Sequence, residues 1–180
     1  MKLEKQNCLA LLIDVQERLF PHIYKHTKLL KNITIALQGL QLFEIPIIVT
    51  EQYPRGLGST ISSLESLING YPKFEKTTFS CARDKTFLEY LQQQPQKTLL
   101  LMGIEAHVCV LQTALDCKLM GYEVFVIWDC VSSRKKSDKN ISRLRLLNNG
   151  IQITSYESLL FELCEDSALA PFKALSNLVK

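Results

Sequence analysis

With 180 residues, 47% hydrophobic and 22% charged, the chain has the size and apolar content of one globular domain with a sizeable core, and a single domain over 1–180 is expected. Its net charge of +3 arises from 21 Lys and Arg against 18 Asp and Glu interspersed along the chain, which supplies no strong field for nucleic acid or an anionic membrane. No apolar run approaches the ~20 residues needed to cross a bilayer, and the first apolar segment reaches an acid at Asp14, unlike a secretory leader, so a cytoplasmic protein is expected.

In chain order, "CLALLID" (8–14) reads as the first strand and residues 27–43 as the first helix. "IPIIVTE" (45–51) is the second strand; it runs into "EQYPRGLGSTISS" (51–63), the longest irregular stretch, which overlaps the start of a helix over 62–68. Long loops in compact domains often carry function, so this one is a candidate pocket wall. Past "KFEKTTFSC" come a helix over 86–91, the strand "KTLLLMG" (97–103), a helix over 107–120 and the strand "EVFVIWD" (123–129). The basic stretch "SSRKKSDKNISR" (132–143) reads as a polar loop and helix start. A helix over 139–148, the strand "GIQITS" (150–155) and helices over 157–164 and 172–178 complete the chain.

The apolar runs are continuous rather than alternating, as parallel strands covered on both faces require. Gly121 and Gly150 stand at helix C-cap positions, and Ser137 or Asp138 and Ser155 at N-cap positions. The alternation of strands and helices predicts a doubly wound α/β fold, with a mainly parallel sheet of five to six strands and helices on both faces. Such sheets carry their sites at the carboxyl ends of strands.

Six cysteines (8, 81, 109, 117, 130 and 164) are scattered without a CxxC or Cys/His ligand spacing, so neither a disulfide framework nor a cysteine metal site is expected. Three polar residues stand out: Asp14 ends the first apolar run, Lys76 lies in "KFEKTTFSC", and Cys109 lies just after the run ending at Gly103. A thiol attacks as thiolate, so a useful cysteine needs a lowered pKa or a base to take its proton. A helix start favours the anion, an ammonium adds to this, and a carboxylate can accept the proton. Each residue also has a plain structural reading, as cap, solvated lysine and packing thiol.

In combination they carry a resemblance. "LLIDVQERLF", "FEKTTFS" and "GIEAHVCVLQTALDCKLMGYEVFVIWDCVSSR" resemble, in order, the signature blocks of the isochorismatase-like cysteine hydrolases, over nearly the whole chain. "VTEQYPRGLGST" is most similar to the isochorismatase domain-containing branch. The resemblance implies a three-layer α/β sandwich with Asp14 as general base, Lys76 as the cation between acid and thiol, and Cys109 as nucleophile. It also implies a non-proline cis peptide from Ile104 to Glu105 and an oxyanion hole built from the N–H groups of Glu105 and Cys109. The implied substrate is a small amide or carbamoyl compound, with vinyl-ether hydrolysis, protonated from Asp14, as the alternative. A non-catalytic interaction protein that retains the fold is the rival reading; a low-pKa, selectively alkylated Cys109 would argue against it.

Phe20, Glu51, Gln52, Tyr53, Phe79 and His107 are the candidate substrate-pocket residues. Nicotinamidases in the family place an Asp and several His near the second strand end, where this chain has "VTEQYPRGLG" and no His. No metal and no cofactor are therefore expected. The expected partners are a small-molecule substrate and further copies of the chain, a dimer or larger, with no nucleic acid and no membrane; "LAPFKALSNLV" (169–179) is a candidate interface element.

Overall fold

The computed structural model describes residues 3–180. Its strands are β1 (Cys8–Ile13), β2 (Ile47–Gln52), β3 (Lys73–Lys76), β4 (Thr98–Ile104), β5 (Glu123–Ser132) and β6 (Gln152–Thr154). Its helices are α1 (His26–Leu42), α2 (Pro54–Leu57), α3 (Ser62–Ile68), α4 (Lys85–Gln92), α5 (Leu111–Leu119), α6 (Lys136–Asn148), α7 (Tyr156–Cys164) and α8 (Pro171–Leu178). All six strands pair in parallel in one sheet, in the order β3-β2-β1-β4-β5-β6.

The sheet is covered on both faces because its central strands have no polar face to expose. Every residue of β1 is buried, and successive side chains point to opposite sides. Cys8, Ala10 and Leu12 pack in one layer with residues of α1, α3, α7 and α8. Leu9, Leu11 and Ile13 pack in the other with residues of α4, α5 and α6. Full burial of each Leu or Ile contributes about 1.5–3 kcal/mol relative to exposure.

From β1 the chain moves outward through β2 to β3, then returns to place β4 on the other side of β1. The carboxyl ends of β1 and β4 are therefore the point where the strand order reverses, and a crevice opens there in folds of this kind. Gly103 permits the close pairing at that point. Its φ is +122°, and a Cβ on it would lie 2.1 Å from the Ile13 carbonyl oxygen. The pairing of β4 with β5 shifts register between Leu101 and Gly103, as a bulge at a glycine does. The next peptide bond, Ile104–Glu105, is cis.

Several boundaries differ from the sequence reading. β3 was not anticipated: it is a short edge strand, with Lys73 and Glu75 exposed, so it offers no apolar run to detect. β5 extends to Ser132, three residues past the apolar run. The stretch 51–63 contains the four-residue α2. Residues Ala106–Val110 form a π-helical turn before α5 begins. Ser155 does cap α7, its side chain accepting from the Ser158 N–H, but α6 starts after Lys135, without a side-chain cap, so Ser137 and Asp138 lie inside its first turn. The 169–179 segment forms α8, with Leu175 in the core beside α1 and α7 residues. Leu169 of the same segment is exposed, and further exposed apolar side chains include Ile141, Leu144 and Leu147 of α6.

Candidate active site

Asp14 follows β1 directly, with a left-handed backbone at φ +53°. The carboxylate is 1% exposed, and both of its oxygens are engaged: Thr50 Oγ1 donates to Oδ1 at 2.7 Å and Lys76 Nζ to Oδ2 at 2.6 Å. Lys76 ends β3, two strands away, and its ammonium is fully buried. It also donates to Gln52 Oε1 at 2.8 Å and to the carbonyls of Thr78 (3.2 Å) and Phe79 (3.4 Å). Burial works against this charge, but Cys81, Asp14 and Cys109 around it outweigh burial and hold Lys76 above the usual lysine range. A buried ion pair so fully hydrogen-bonded tolerates loss of neither partner.

Cys109 lies in the π-helical turn after β4 and is 6% exposed. Its thiol lies within electrostatic reach of Asp14 and Lys76. Burial pushes the thiol well above the ordinary cysteine value, the Asp14 charge pushes it further, and Lys76 only partly opposes them. A preformed, low-pKa thiolate is thus not what the geometry provides. The carboxylate that can accept the thiol proton lines the same cavity. Cys81 is also buried, 3.7 Å from Thr50 Oγ1, and is pushed up to about 11 by burial and then by Asp14.

The Glu105 carbonyl accepts from the N–H groups of Val108 and Val110 at 3.1 and 3.2 Å. The Glu105 carboxylate takes the backbone N–H of Arg134 at 2.8 Å and its Nε at 3.2 Å. This ties the turn to the end of β5.

A cavity of about 230 Å³ opens over these groups. Asp14, Glu105 and Cys109 line it together with the apolar Leu19, Leu57, Phe79 and Val108, and Gln52 and Arg134 complete the wall. Of the pocket residues read from the sequence, Gln52 and Phe79 are placed here. The other four are elsewhere. Phe20 is a core residue, edge-on to His26 at 5.6 Å. Glu51 is buried against Thr60, accepting from its N–H at 2.7 Å and its hydroxyl at 2.8 Å, with Lys73 at 3.2 Å. Tyr53 is half-exposed on a neighbouring cavity with Arg55 and Asp84. His107 turns away to Ser133 Oγ, 3.0 Å from its Nδ1, and to Asp138, 3.7 Å from its Nε2.

Sequence reading missed Thr50, Gln16 and Arg134. Gln16 is fully buried and clamps the loop after β2: its amide donates to the carbonyls of Gln52 and Gly58, and its carbonyl accepts from the Gln52 N–H. A polar residue two positions past Asp14 was the available signal. Arg134 lay in a basic stretch read as solvated. Among the described residues, no group of three or more His, Cys, Asp or Glu side chains is placed to hold a metal ion.

An acid, a buried lysine and a thiol gathered at the reversal point of a parallel α/β sheet define a class of site. Residues 8–158 match the isochorismatase domain, and the chain belongs to the isochorismatase family, whose α/β fold it shares. It is 36% identical over 167 residues to isochorismatase domain-containing protein 1 of Danio rerio, a match covering 93% of this chain and 59% of that protein. The chain thus spans under two thirds of that relative's length. The structure of the MAR1 ribonuclease from Caenorhabditis elegans superposes with a TM-score of 0.92 at 31% identity, over 99% of this chain and 92% of that one. The YcaC gene product of Escherichia coli, an octameric hydrolase of unknown specificity, shares the fold with a TM-score of 0.93 at 21% identity, over 99% of this chain and 90% of the other. Among the described residues no helix is long and apolar enough to cross a membrane.

Proposed function

We propose that the chain is a cysteine hydrolase acting on a small amide or carbamoyl compound. The observation that carries this reading is that the Cys109 thiol and the Asp14 carboxylate line one cavity, with Asp14 already held by Lys76 and Thr50. Asp14 takes the Cys109 proton as sulfur attacks the substrate carbonyl carbon. The electron pair moves to the carbonyl oxygen, which the N–H groups of Glu105 and Cys109 receive; one such donor is worth about 3 kcal/mol to the transition state. Collapse expels the amine, which leaves with the proton held by Asp14. The carboxylate then deprotonates water, which attacks the thioester, releases the acid and restores the thiol. Lys76 holds Asp14 in place throughout.

A cavity of about 230 Å³ with four apolar walls suits a substrate of metabolite size. The test is hydrolysis of a panel of primary amides and carbamoyl compounds by wild type and by Cys109→Ala, with circular dichroism to check the fold. Turnover by wild type and none by a folded Cys109→Ala supports the reading; equal turnover overturns it. Vinyl-ether hydrolysis that survives in Cys109→Ala, without amide turnover in wild type, would transfer the chemistry to Asp14 alone. Self-association belongs to the same proposal, with the exposed Ile141, Leu144 and Leu147 of α6 as the contact face.

A further inference from the structure

A second cavity, of about 290 Å³, opens between the first turns of α1 and α6 at the end of β5. It shares no lining residue with the cavity at Cys109. Its walls carry four lysines: Lys25 immediately before α1, Lys28 in the first turn of α1, Lys136 at the start of α6, and Lys139 one turn later. Against them stands one carboxylate, Asp129. None of the four ammonium groups forms a salt bridge among the described residues. Lys25 lies over the Tyr24 ring, and Lys139 donates to the Trp128 carbonyl at 3.1 Å with its Nζ 5.0 Å from the Trp128 ring centre.

This is an unfavourable arrangement for an empty surface. Burial lowers Lys139, and the like charges of Lys28 and Arg143 add to that effect against the opposing pull of Asp129. Asp129 is the one carboxylate in the lining, and its Oδ1 also accepts the Tyr156 N–H at 2.9 Å. Both helices that point their amino ends here, of 17 and 13 residues, lack a side-chain cap. Their amino ends thus add positive potential to the same space. Four point-charge donors with one carboxylate among them match an anion of two or more charges, and lysine ammonium groups serve phosphoryl oxygens in this way.

We propose that this cavity is a binding site for a compact polyanion bearing phosphoryl groups, held by Lys25, Lys28, Lys136 and Lys139 beside the Trp128 ring. The site is independent of the chemistry at Cys109.

Trp128 is the chain's one tryptophan, so its emission reports on the cavity directly. The experiment titrates wild-type protein with inorganic pyrophosphate at constant ionic strength, followed by tryptophan fluorescence and by calorimetry. A saturable response is expected, unchanged in Cys109→Ala and weakened at least tenfold in Lys28→Ala combined with Lys136→Ala. Both lysines are exposed, so the double variant keeps its fold, and Lys28→Glu provides a second reading by charge reversal. No saturable signal in either readout, a signal that follows ionic strength alone, or full affinity in both lysine variants would overturn the assignment. Tighter binding of a short single-stranded RNA than of pyrophosphate, lost in the same variants, would overturn it in favour of nucleic acid.

Discussion

Cys109 sits between two opposed charges, and their signs make its reactivity testable. Asp14 and burial raise its pKa, and Lys76 lowers it. Asp14→Asn should therefore shift the pH of half-maximal Cys109 alkylation down, and Lys76→Ala should shift it up, as read by peptide mass spectrometry. The two properties then separate: Asp14→Asn makes the thiol easier to ionise yet should lower turnover by about 10²–10⁴-fold, the contribution of a positioned general base. Parallel changes in reactivity and turnover would refute Asp14 as the base. Glu51 tests a structural role. Its contacts with Thr60 and Lys73 outweigh burial and hold its carboxyl below the ordinary value. A depressed folded-state pKa stabilises above the unfolded value of 4.5 and loses that contribution as pH falls through the folded one. Glu51→Gln should cost about 1–3 kcal/mol at neutral pH, and the gap to wild type in urea denaturation should close on acidification. A gap independent of pH would show that charge is not what Glu51 contributes. Asp14, Lys76 and Cys109 were legible because each ends or follows a readable block. Thr50 and Arg134 were not, since hydroxyl and guanidinium gain meaning only from the partner opposite.

At the scale of elements, the junction of β1 with β4 decides where the site forms. Gly103 has no freedom to carry a side chain: at φ +122° the added Cβ would meet backbone atoms of Ile13, the nearest at 2.1 Å. Gly103→Ala should destabilise by about 3 kcal/mol or more, measured from the denaturation midpoint, and a variant within experimental error of wild type would contradict this pairing. The loop after β2 depends on Gln16, whose three hydrogen bonds span 2.7–3.0 Å. Gln16→Ala should loosen residues 52–58, read as faster amide exchange there with β4 unchanged. The strand end was visible in sequence as an apolar run reaching Gly103; the loop's conformation was not, because its anchor lies 36 positions away.

For the whole molecule, stability resides in the doubly covered sheet. Leu11 is fully buried in the layer shared with α4, α5 and α6, and Leu11→Ala should cost about 2–5 kcal/mol without altering the pH dependence of Cys109 alkylation. The outer face of α6 makes a separate prediction. Leu144, 63% exposed, is flanked by Ile141 and Leu147 at helical spacing. Light scattering should find wild type larger than one chain, and Leu144→Glu should reduce that mass; a wild-type monomer at micromolar concentration would remove the self-association reading.

The sequence by itself determined the fold class and five of the six strands, because continuous apolar runs can be buried only in a sheet covered on both faces. It also marked the acid, lysine and thiol that follow those runs. Tertiary structure alone decided that β3 pairs at the edge, that Lys76 reaches Asp14 across two strands, and that Glu51, Phe20, Tyr53 and His107 face away from the cavity. It also set the direction in which the Cys109 pKa is shifted, because a pKa depends on the burial and the charges around a group rather than on its neighbours in the chain.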